Sequence, residues 1–203
     1  WVDYDDDLFN VPRSNRTYKL YGSQRNQNNI AQIIGKADKV TVSTVALLNQ
    51  FTAILELVKR GAPEHLDQLV LDKRKIILTP NAYDFDFVSH YRKDRSKTAP
   101  NKLITWRGSD THDKDLLSVT DELKSVFSQN LDWTLNFIGS PFWRTIEALE
   151  EIPGLKEKNV LETEALDPAE FWKFLWVTAP SLVIVPLWDC AFNRAKSNIA
   201  WIE

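Results

Sequence analysis

Short apolar runs alternate with stretches of helical periodicity through the second half of the chain. Four runs are predicted to be strands: Leu103 to Trp106, Trp133 to Ile138, Val160 to Glu164 and Leu182 to Val185. The last of them is an unbroken apolar run, as in a strand that is covered on both faces. After the first of them, apolar residues recur at helical spacing, at Leu116, Val119, Leu123, Val126 and Phe127. Asp167-Pro168-Ala169-Glu170 is typical of a helix start, with an acidic N-cap followed by proline. Four strand–helix units in series predict an α/β fold with a parallel, doubly wound sheet.

The first half shows the same alternation in fewer units. A strand end near Trp1 runs into the acidic residues Asp3 to Asp7, and the β-branched segment Lys39 to Thr44 and the run Ile76 to Thr79 predict two further strands. Helical spacing covers residues 24–37 and Val45 to Lys59, with Ser43 or Thr44 as the cap of the second helix. From Ala82 onward the composition becomes polar without periodicity. These patterns predict a first domain over residues 1–84, a linker over 85–101 and a second domain over 102–203.

The last segment of the chain, from Leu182 to Glu203, contains the clearest candidate for a functional site. Pro186 ends the last strand, and a polar loop leads into a helix predicted from Ile199 and Ile202. Backbone N–H groups at such a helix start favour an anion, and the polar residues beside it are Asn193, Arg194, Lys196 and Ser197. Glu203 is placed to accept hydrogen bonds from a ribose. Taken singly, each of these residues is also typical of a solvated helix surface.

A second candidate anion site follows the first strand of the second half. Gly108 joins this strand to a helix, which lets the backbone approach a phosphate closely, and the donors around it are Arg107, Ser109, His112 and Lys114. The alternative is an ordinary strand-to-helix turn, because no Gly-x-Gly-x-x-Gly or P-loop pattern is present. In doubly wound sheets the loops after the strands meet at one edge. Two anion sites on that edge predict a nucleoside diphosphate as the ligand.

Composition narrows the range of partners. The chain has 203 residues, a formal charge of −3 and no long basic run, so a nucleic-acid backbone is not an expected partner. No apolar stretch approaches the roughly 20 residues of a membrane span. The single cysteine, Cys190, excludes an internal disulfide and favours a reducing, cytoplasmic location. The chain opens on Trp1 and contains no methionine, and we expect it to be incomplete at both ends.

Neither the acidic cluster nor the histidines predict a metal site. An Asp-x-Asp pattern can hold Mg²⁺ beside phosphates, but an acidic, solvated turn is the commoner structure. Within the cluster, Asp6 is the candidate general base. The spacing of His112, Asp113 and Asp115 fits no common zinc pattern, and caps or phosphate donors explain it better. We expect His65 and His90 to be surface residues and Cys190 to be a structural thiol.

Several segments in order resemble the GT-B glycosyltransferases, in particular the family-4-like enzymes (glycosyl transferases group 1) of tailed phages and bacteria. Three segments, Asp5 to Phe9, Ala37 to Thr44 and Thr79 to Ala82, resemble the end of the first Rossmann-like domain. Two others, Arg107 to His112 and Pro186 to Glu203, resemble the phosphate loop and donor helix of the second. The resemblance runs over almost the whole chain. It implies transfer of a sugar from a nucleoside-diphosphate donor, with no required metal or other cofactor.

The same resemblance assigns roles to individual residues. It matches Gly108, Ser109, His112 and Lys114 to the pyrophosphate loop, Lys196 and Ser197 to the diphosphate end of the donor helix, and Glu203 to the ribose-binding glutamate. Residues 164–166 fall where such enzymes hold the base. Two departures from the family pattern are visible. Positive charge is placed differently in the Arg107 loop, and Lys196 stands where the usual Glu-x7-Glu pair has its first acid.

Two classes of function therefore remain open. The first is a glycosyltransferase that uses a nucleotide-sugar donor and a saccharide or other hydroxyl acceptor, with Lys196 and Asp6 as the catalytic candidates. The second is a non-catalytic structural or interaction protein that retains the fold within a larger assembly such as a virion. A dehydrogenase or epimerase is disfavoured, because no dinucleotide fingerprint follows any predicted strand.

Overall fold

The computed structural model describes residues 1–59, 76–82, 84–91, 101–130, 132–139, 147–148, 150–151 and 160–197. The chain divides into two compact units. Unit 1 consists of Trp1–Tyr83 and Asp189–Glu203, and unit 2 of Asp84–Trp188. Unit 2 is therefore inserted, along the chain, between the third strand and the closing segment of unit 1.

Unit 1 is built on a three-stranded parallel sheet. Its strands are β1 (Val2–Tyr4), β2 (Val40–Val42) and β3 (Ile76–Leu78), in the order β1-β2-β3. Val40 lies opposite Val2 on one side and Ile76 on the other. All three residues of β2 are buried, as expected of a central parallel strand covered on both faces. The strands predicted from the β-branched and apolar runs of the first half are thereby confirmed.

Three helices accompany this sheet: α1 (Tyr18–Tyr21), α2 (Gln24–Lys36) and α3 (Val45–Lys59). Helix α2 begins at Ser23, whose side chain accepts a hydrogen bond from Asn26 N, and it buries Ile30, Ala31 and Ile34. Helix α3 begins after Thr44, whose Oγ1 accepts from Leu47 N at 3.1 Å. The core that these elements share contains Ile30, Ile34, Val40, Val42, Leu47 and Phe51 among its buried residues. Both predicted helices are confirmed.

Unit 2 is built on a four-stranded parallel sheet. Its strands are β4 (Asn101–Gly108), β5 (Thr134–Gly139), β6 (Val160–Thr163) and β7 (Pro180–Ile184), in the order β6-β5-β4-β7. The parallel α/β sheet predicted for the second half is confirmed. The prediction that the last strand is covered on both faces is wrong. At the end of the strand order, Leu182 and Val183 on β7 are 50% and 41% exposed.

The helices of unit 2 are α4 (Phe85–Tyr91), α5 (Asp113–Leu117), α6 (Thr120–Gln129) and α7 (Pro168–Thr178). A 3₁₀ turn, Asp110–His112, precedes α5. One core buries Trp106, Leu116, Leu123, Phe127, Leu135 and Phe137. Helix α7 begins as the sequence predicts, because the Asp167 side chain accepts from Glu170 N and Pro168 takes the first position. It ends at Ala179, which adopts a left-handed conformation at φ 43°.

Two domain predictions differ from the structure. Residues 85–91 of the predicted linker form α4, which begins after Asp84, whose Oδ1 accepts a hydrogen bond from Phe87 N at 2.9 Å. The predicted second domain, 102–203, loses its last fifteen residues to unit 1, since Asp189–Glu203 cluster with that unit. A short helix, α8 (Ala191–Arg194), lies in this closing segment. The predicted helix near 142–149 and the one carrying Ile199 and Ile202 lie largely or wholly outside the described residues.

Among the described helices, none is long and apolar enough to cross a membrane.

Candidate functional site

The strand order of unit 2 contains one reversal. The chain runs outward from β4 through β5 to β6, and then returns to place β7 on the other side of β4. Ile184 on β7 lies opposite Trp106 on β4, so the carboxyl ends of the two strands are neighbours. In open parallel sheets ligands bind beyond the carboxyl ends of the strands, at such a switch point. The loops that begin at Ser109 and at Val185 therefore form the candidate site of unit 2.

A buried aspartate joins these two loops. Asp115, on α5, is 4% exposed, and its Oδ1 accepts a hydrogen bond from the backbone N of Trp188 at 3.1 Å. Its Oδ2 lies 2.7 Å from Nδ1 of His112, which acts as the donor since an ionised carboxylate only accepts. The sequence interpretation considered Asp115 as a metal ligand or cap and did not predict this role. Because its partner Trp188 is 73 residues away, no local pattern signals the contact.

Two cationic side chains near this edge contact aromatic rings. Lys114 Nζ lies 3.5 Å from the centroid of the Trp188 ring, and Arg107 Cζ lies 5.1 Å from that of Phe171. Burial lowers the pKa of Arg107, although arginine stays protonated at neutral pH. Both residues were predicted to surround the loop after the first strand. Among the described residues, Lys114, which is exposed, and Arg107, which is half-buried, therefore contribute positive charge on this side of the sheet.

Two glycines face each other at the end of β4 and β5. Gly108 and Gly139 occupy the same register position of the parallel pair. A Cβ on Gly139, which has φ 122°, would fall closer than 3.0 Å to the carbonyl oxygen of Gly108. A Cβ on Gly108 would also fall closer than 3.0 Å to an atom of the Trp106 indole. Packing within unit 2 therefore requires both glycines, independently of any ligand that Gly108 was predicted to approach.

The turn after Gly108 differs from the predicted helix start. The chain makes the 3₁₀ turn first, and α5 then has only five residues, with Asp113 and Asp115 in its first turn. These acids already occupy the end of the helix where an anion would be favoured. Ser109 does not cap the turn with its side chain, and its Oγ lies 2.6 Å from Oγ1 of Thr111. Binding of a phosphate at this position would depend on Lys114 and neighbouring donors rather than on a helix dipole.

The closing segment belongs to unit 1, where its polar residues make specific contacts. Asn81 Nδ2 donates to Ser197 Oγ at 2.9 Å and to Asp5 Oδ1 at 2.8 Å. Thr44 Oγ1 donates to the carbonyl oxygen of Ala195 at 2.7 Å. These contacts attach residues 195–197 to the loops that follow β2 and β3, and Asn81 in turn contacts the loop that follows β1. The expectation that the Lys196 loop and the Gly108 loop border one sheet is therefore wrong.

The other residues predicted for the donor helix lie in the same segment. Asn193 is buried, and its backbone N donates to Sγ of Cys190, which caps α8. Lys196 Nζ lies 5.0 Å from the ring centroid of Phe192. Glu203, the predicted ribose acceptor, lies outside the described residues. The segment thus has a structural role in unit 1 that the sequence interpretation did not assign to it.

The double role of Thr44 gives a testable prediction. Its hydroxyl both caps α3 and holds the carbonyl oxygen of Ala195, so Thr44→Val removes two hydrogen bonds. We expect the free energy of unfolding to fall by about 1–3 kcal/mol, as measured by urea denaturation. Thr44→Ser keeps the hydroxyl and is the matched control. Equal stability of the valine and serine variants would contradict the assignment.

The acidic residues after β1 have different environments. Asp7 is fully buried and accepts from Phe9 N at 3.2 Å and from Asn10 Nδ2 at 2.8 Å. Burial raises the pKa of Asp7, and these hydrogen bonds oppose the rise. Asp6, the predicted base, is half-buried, and its carbonyl oxygen accepts from Leu8 N. Among the described residues no group of three or more His, Cys, Asp or Glu side chains could hold a metal ion.

The remaining predictions concern two histidines and the cysteine. His90 lies on α4 and is exposed, whereas His65 lies outside the described residues. Cys190 is a free thiol of intermediate exposure.

The topology and the switch point define a parallel α/β protein with Rossmann-like sheets. The chain shares this fold with a glycosyltransferase of Staphylococcus aureus, TarM, with a TM-score of 0.52 and 16% sequence identity. The likeness covers 86% of this chain and 30% of the TarM chain, so this chain spans about a third of that protein. The crystal structure of TarM, a point mutant, is in complex with Fondaparinux, alpha-GlcNAc-glycerol and UDP. No family model matches the chain. No curated protein matches its sequence.

Proposed function

We propose that this chain is part of a glycosyltransferase that moves a sugar from a nucleoside-diphosphate donor to a saccharide or other hydroxyl acceptor. The observation that carries the proposal is the switch point between β4 and β7, where Asp115 joins two loops beside the exposed ammonium of Lys114. The fold that the chain shares with the S. aureus enzyme supports the same reaction class. The donor diphosphate is proposed to bind in unit 2, beyond the carboxyl ends of these two strands.

The proposed chemistry is electrostatic stabilisation of the leaving diphosphate. Negative charge develops on its oxygens as the sugar departs, and a cation already held nearby stabilises this charge with little reorganisation. Lys114 supplies such a cation, and His112 and the Ser109 hydroxyl are the neighbouring donors. The other predicted site residues lie in unit 1 and its closing segment, and their roles in binding or catalysis stay predictions: Asp6, Asn193, Lys196, Ser197 and Glu203. The resemblance to GT-B enzymes implies no required metal.

A non-catalytic structural or interaction protein is the second candidate. One set of contacts favours it: Ser197, predicted to bind phosphate, instead receives a hydrogen bond from Asn81 in unit 1. The acidic first turn of α5 also disfavours an anion at that helix end. A protein that kept the fold for assembly alone would bind no nucleotide.

Nucleotide binding separates the two candidates. We expect one of UDP, GDP, ADP or CMP to raise the melting temperature of the protein, since a ligand at a hundred times its Kd adds about 2.7 kcal/mol of stability. Lys114→Met should remove most of this shift, and Lys196→Ala tests the predicted role of that lysine. The matched control is Lys102→Met, which removes a lysine paired with Asp132 near the opposite end of β4. Should none of the four nucleotides shift the melting temperature, the glycosyltransferase proposal fails.

A further inference from the structure

Trp188 is the aromatic partner of the exposed lysine at the switch point. The ammonium of Lys114 lies 3.5 Å from the centroid of its ring, close enough for a cation–π interaction. The backbone of Trp188 is fixed separately, because its N donates to the buried carboxylate of Asp115. Lys114 and Asp115 are adjacent on α5, so this one turn of helix holds both the backbone and the ring of Trp188.

A lysine side chain has four rotatable bonds and loses much conformational freedom when it binds a ligand. Contact with the indole restricts that freedom before any ligand arrives. An ammonium has three N–H donors, and a ring on one side leaves the donors on the other side for an anion. The lysine is thus held near the carboxyl end of β4 in a position from which it can still donate.

We propose that Trp188 is a positioning residue that preorganises Lys114 for the diphosphate of the donor. The inference rests on the proposed function, because it concerns how that site holds its ligand. Trp188 acts through Lys114 and not on the sugar or base. Its contribution to diphosphate affinity therefore depends on the ammonium of Lys114. An indole that only packed against the loop would make the same contribution with or without that ammonium.

A double-mutant cycle tests this dependence. The variants are Trp188→Leu, Lys114→Met and the two combined, and affinity is measured by calorimetric titration with UDP, GDP and ADP. We expect Lys114→Met to weaken binding about tenfold or more and Trp188→Leu to weaken it about three- to tenfold. In the Lys114→Met background the Trp188→Leu change should alter affinity by less than about twofold. Trp188→Phe keeps an aromatic face and should retain most of the affinity.

The outcomes distinguish the inference from the function on which it rests. If the wild-type chain binds none of the three diphosphates, the proposed function fails and the inference fails with it. If the wild type binds but the Trp188→Leu variant has the same affinity, the inference alone is overturned. The same holds if the Trp188→Leu change lowers affinity as much in the Lys114→Met background as in the wild type. If Trp188→Leu does not fold, as judged by circular dichroism, the cycle is run with Trp188→Met, which also lacks an aromatic face, and a coupling below about twofold with Lys114→Met overturns the inference.

Discussion

Replacing Gly139 by alanine is expected to lower the free energy of unfolding by roughly 3–5 kcal/mol, the largest effect we expect from a single methyl group in this protein. Gly139 has φ 122°, a conformation that side-chain-bearing residues rarely adopt, which costs about 1–3 kcal/mol. The new Cβ also overlaps the carbonyl oxygen of Gly108, which is fixed by the parallel pairing of β4 and β5. Overpacking of this kind adds about 1–3 kcal/mol, because a paired strand cannot move away.

Thermal or urea unfolding of the purified variant measures this loss. Gly22→Ala is the matched control, since it adds the same methyl group where φ is −79°. The atoms that this methyl meets belong to the ring of Tyr18, a half-buried side chain that can rotate away. We expect a change within about 1 kcal/mol for the control. A Gly139→Ala protein as stable as Gly22→Ala would show that the two strand ends are not packed as described.

The fold was predictable where local signals and burial agree. β2 and β5 follow from β-branched and apolar runs, because a strand inside a parallel sheet is covered on both faces. The start of α7 follows from Asp167 and Pro168, whose preferences act within one turn of helix. The end of the same helix has no such signal. Ala179 takes the left-handed conformation that glycine or asparagine would have indicated.

What the sequence did not predict depends on contacts between distant residues. Ser197 contacts Asn81 across 116 positions and Ala195 contacts Thr44 across 151, so the unit to which the closing segment belongs is set by tertiary packing. The apolar run in β7 has the composition of a buried strand, yet composition does not reveal a position at the end of a strand order. Sequence spacing therefore placed Lys196 on the wrong sheet.

In the candidate site, too, some residues could be identified from local sequence whereas contacts between distant residues could not. Lys114 and His112 were identified from their place after a strand and a glycine, and the structure puts both beside the switch point. The contact between Asp115 and Trp188, which holds the two loops together, was not predicted. Each is ordinary in its local sequence, and the role of each comes from the other. Functional residues that lie close together in one loop can be identified from the sequence. A contact between two loops can be identified only when the strand order is known.

Replacing Asp115 by alanine is the second large effect that we expect, a loss of about 2–4 kcal/mol in the free energy of unfolding. The carboxylate is buried and accepts from both Trp188 N and His112 Nδ1, and hydrogen bonds to a charged group contribute about 1.5–3 kcal/mol each. Alanine removes both acceptors at once and leaves space beneath the two loops. Urea denaturation measures the loss, with the exposed Asp121→Ala on α6 as a control for removing a carboxylate from the first turn of a helix.

Asp115→Asn shows whether charge or geometry matters at this position. The amide oxygen can still accept from Trp188 N, and the amide nitrogen can donate to a His112 ring nitrogen that lacks a proton. We therefore expect asparagine to recover at least half of the stability that alanine loses. It should also keep the emission maximum of Trp188, measured as the difference between each variant and its Trp188→Phe counterpart. If asparagine and alanine destabilise the protein equally, the negative charge of Asp115 and not its shape joins the loops.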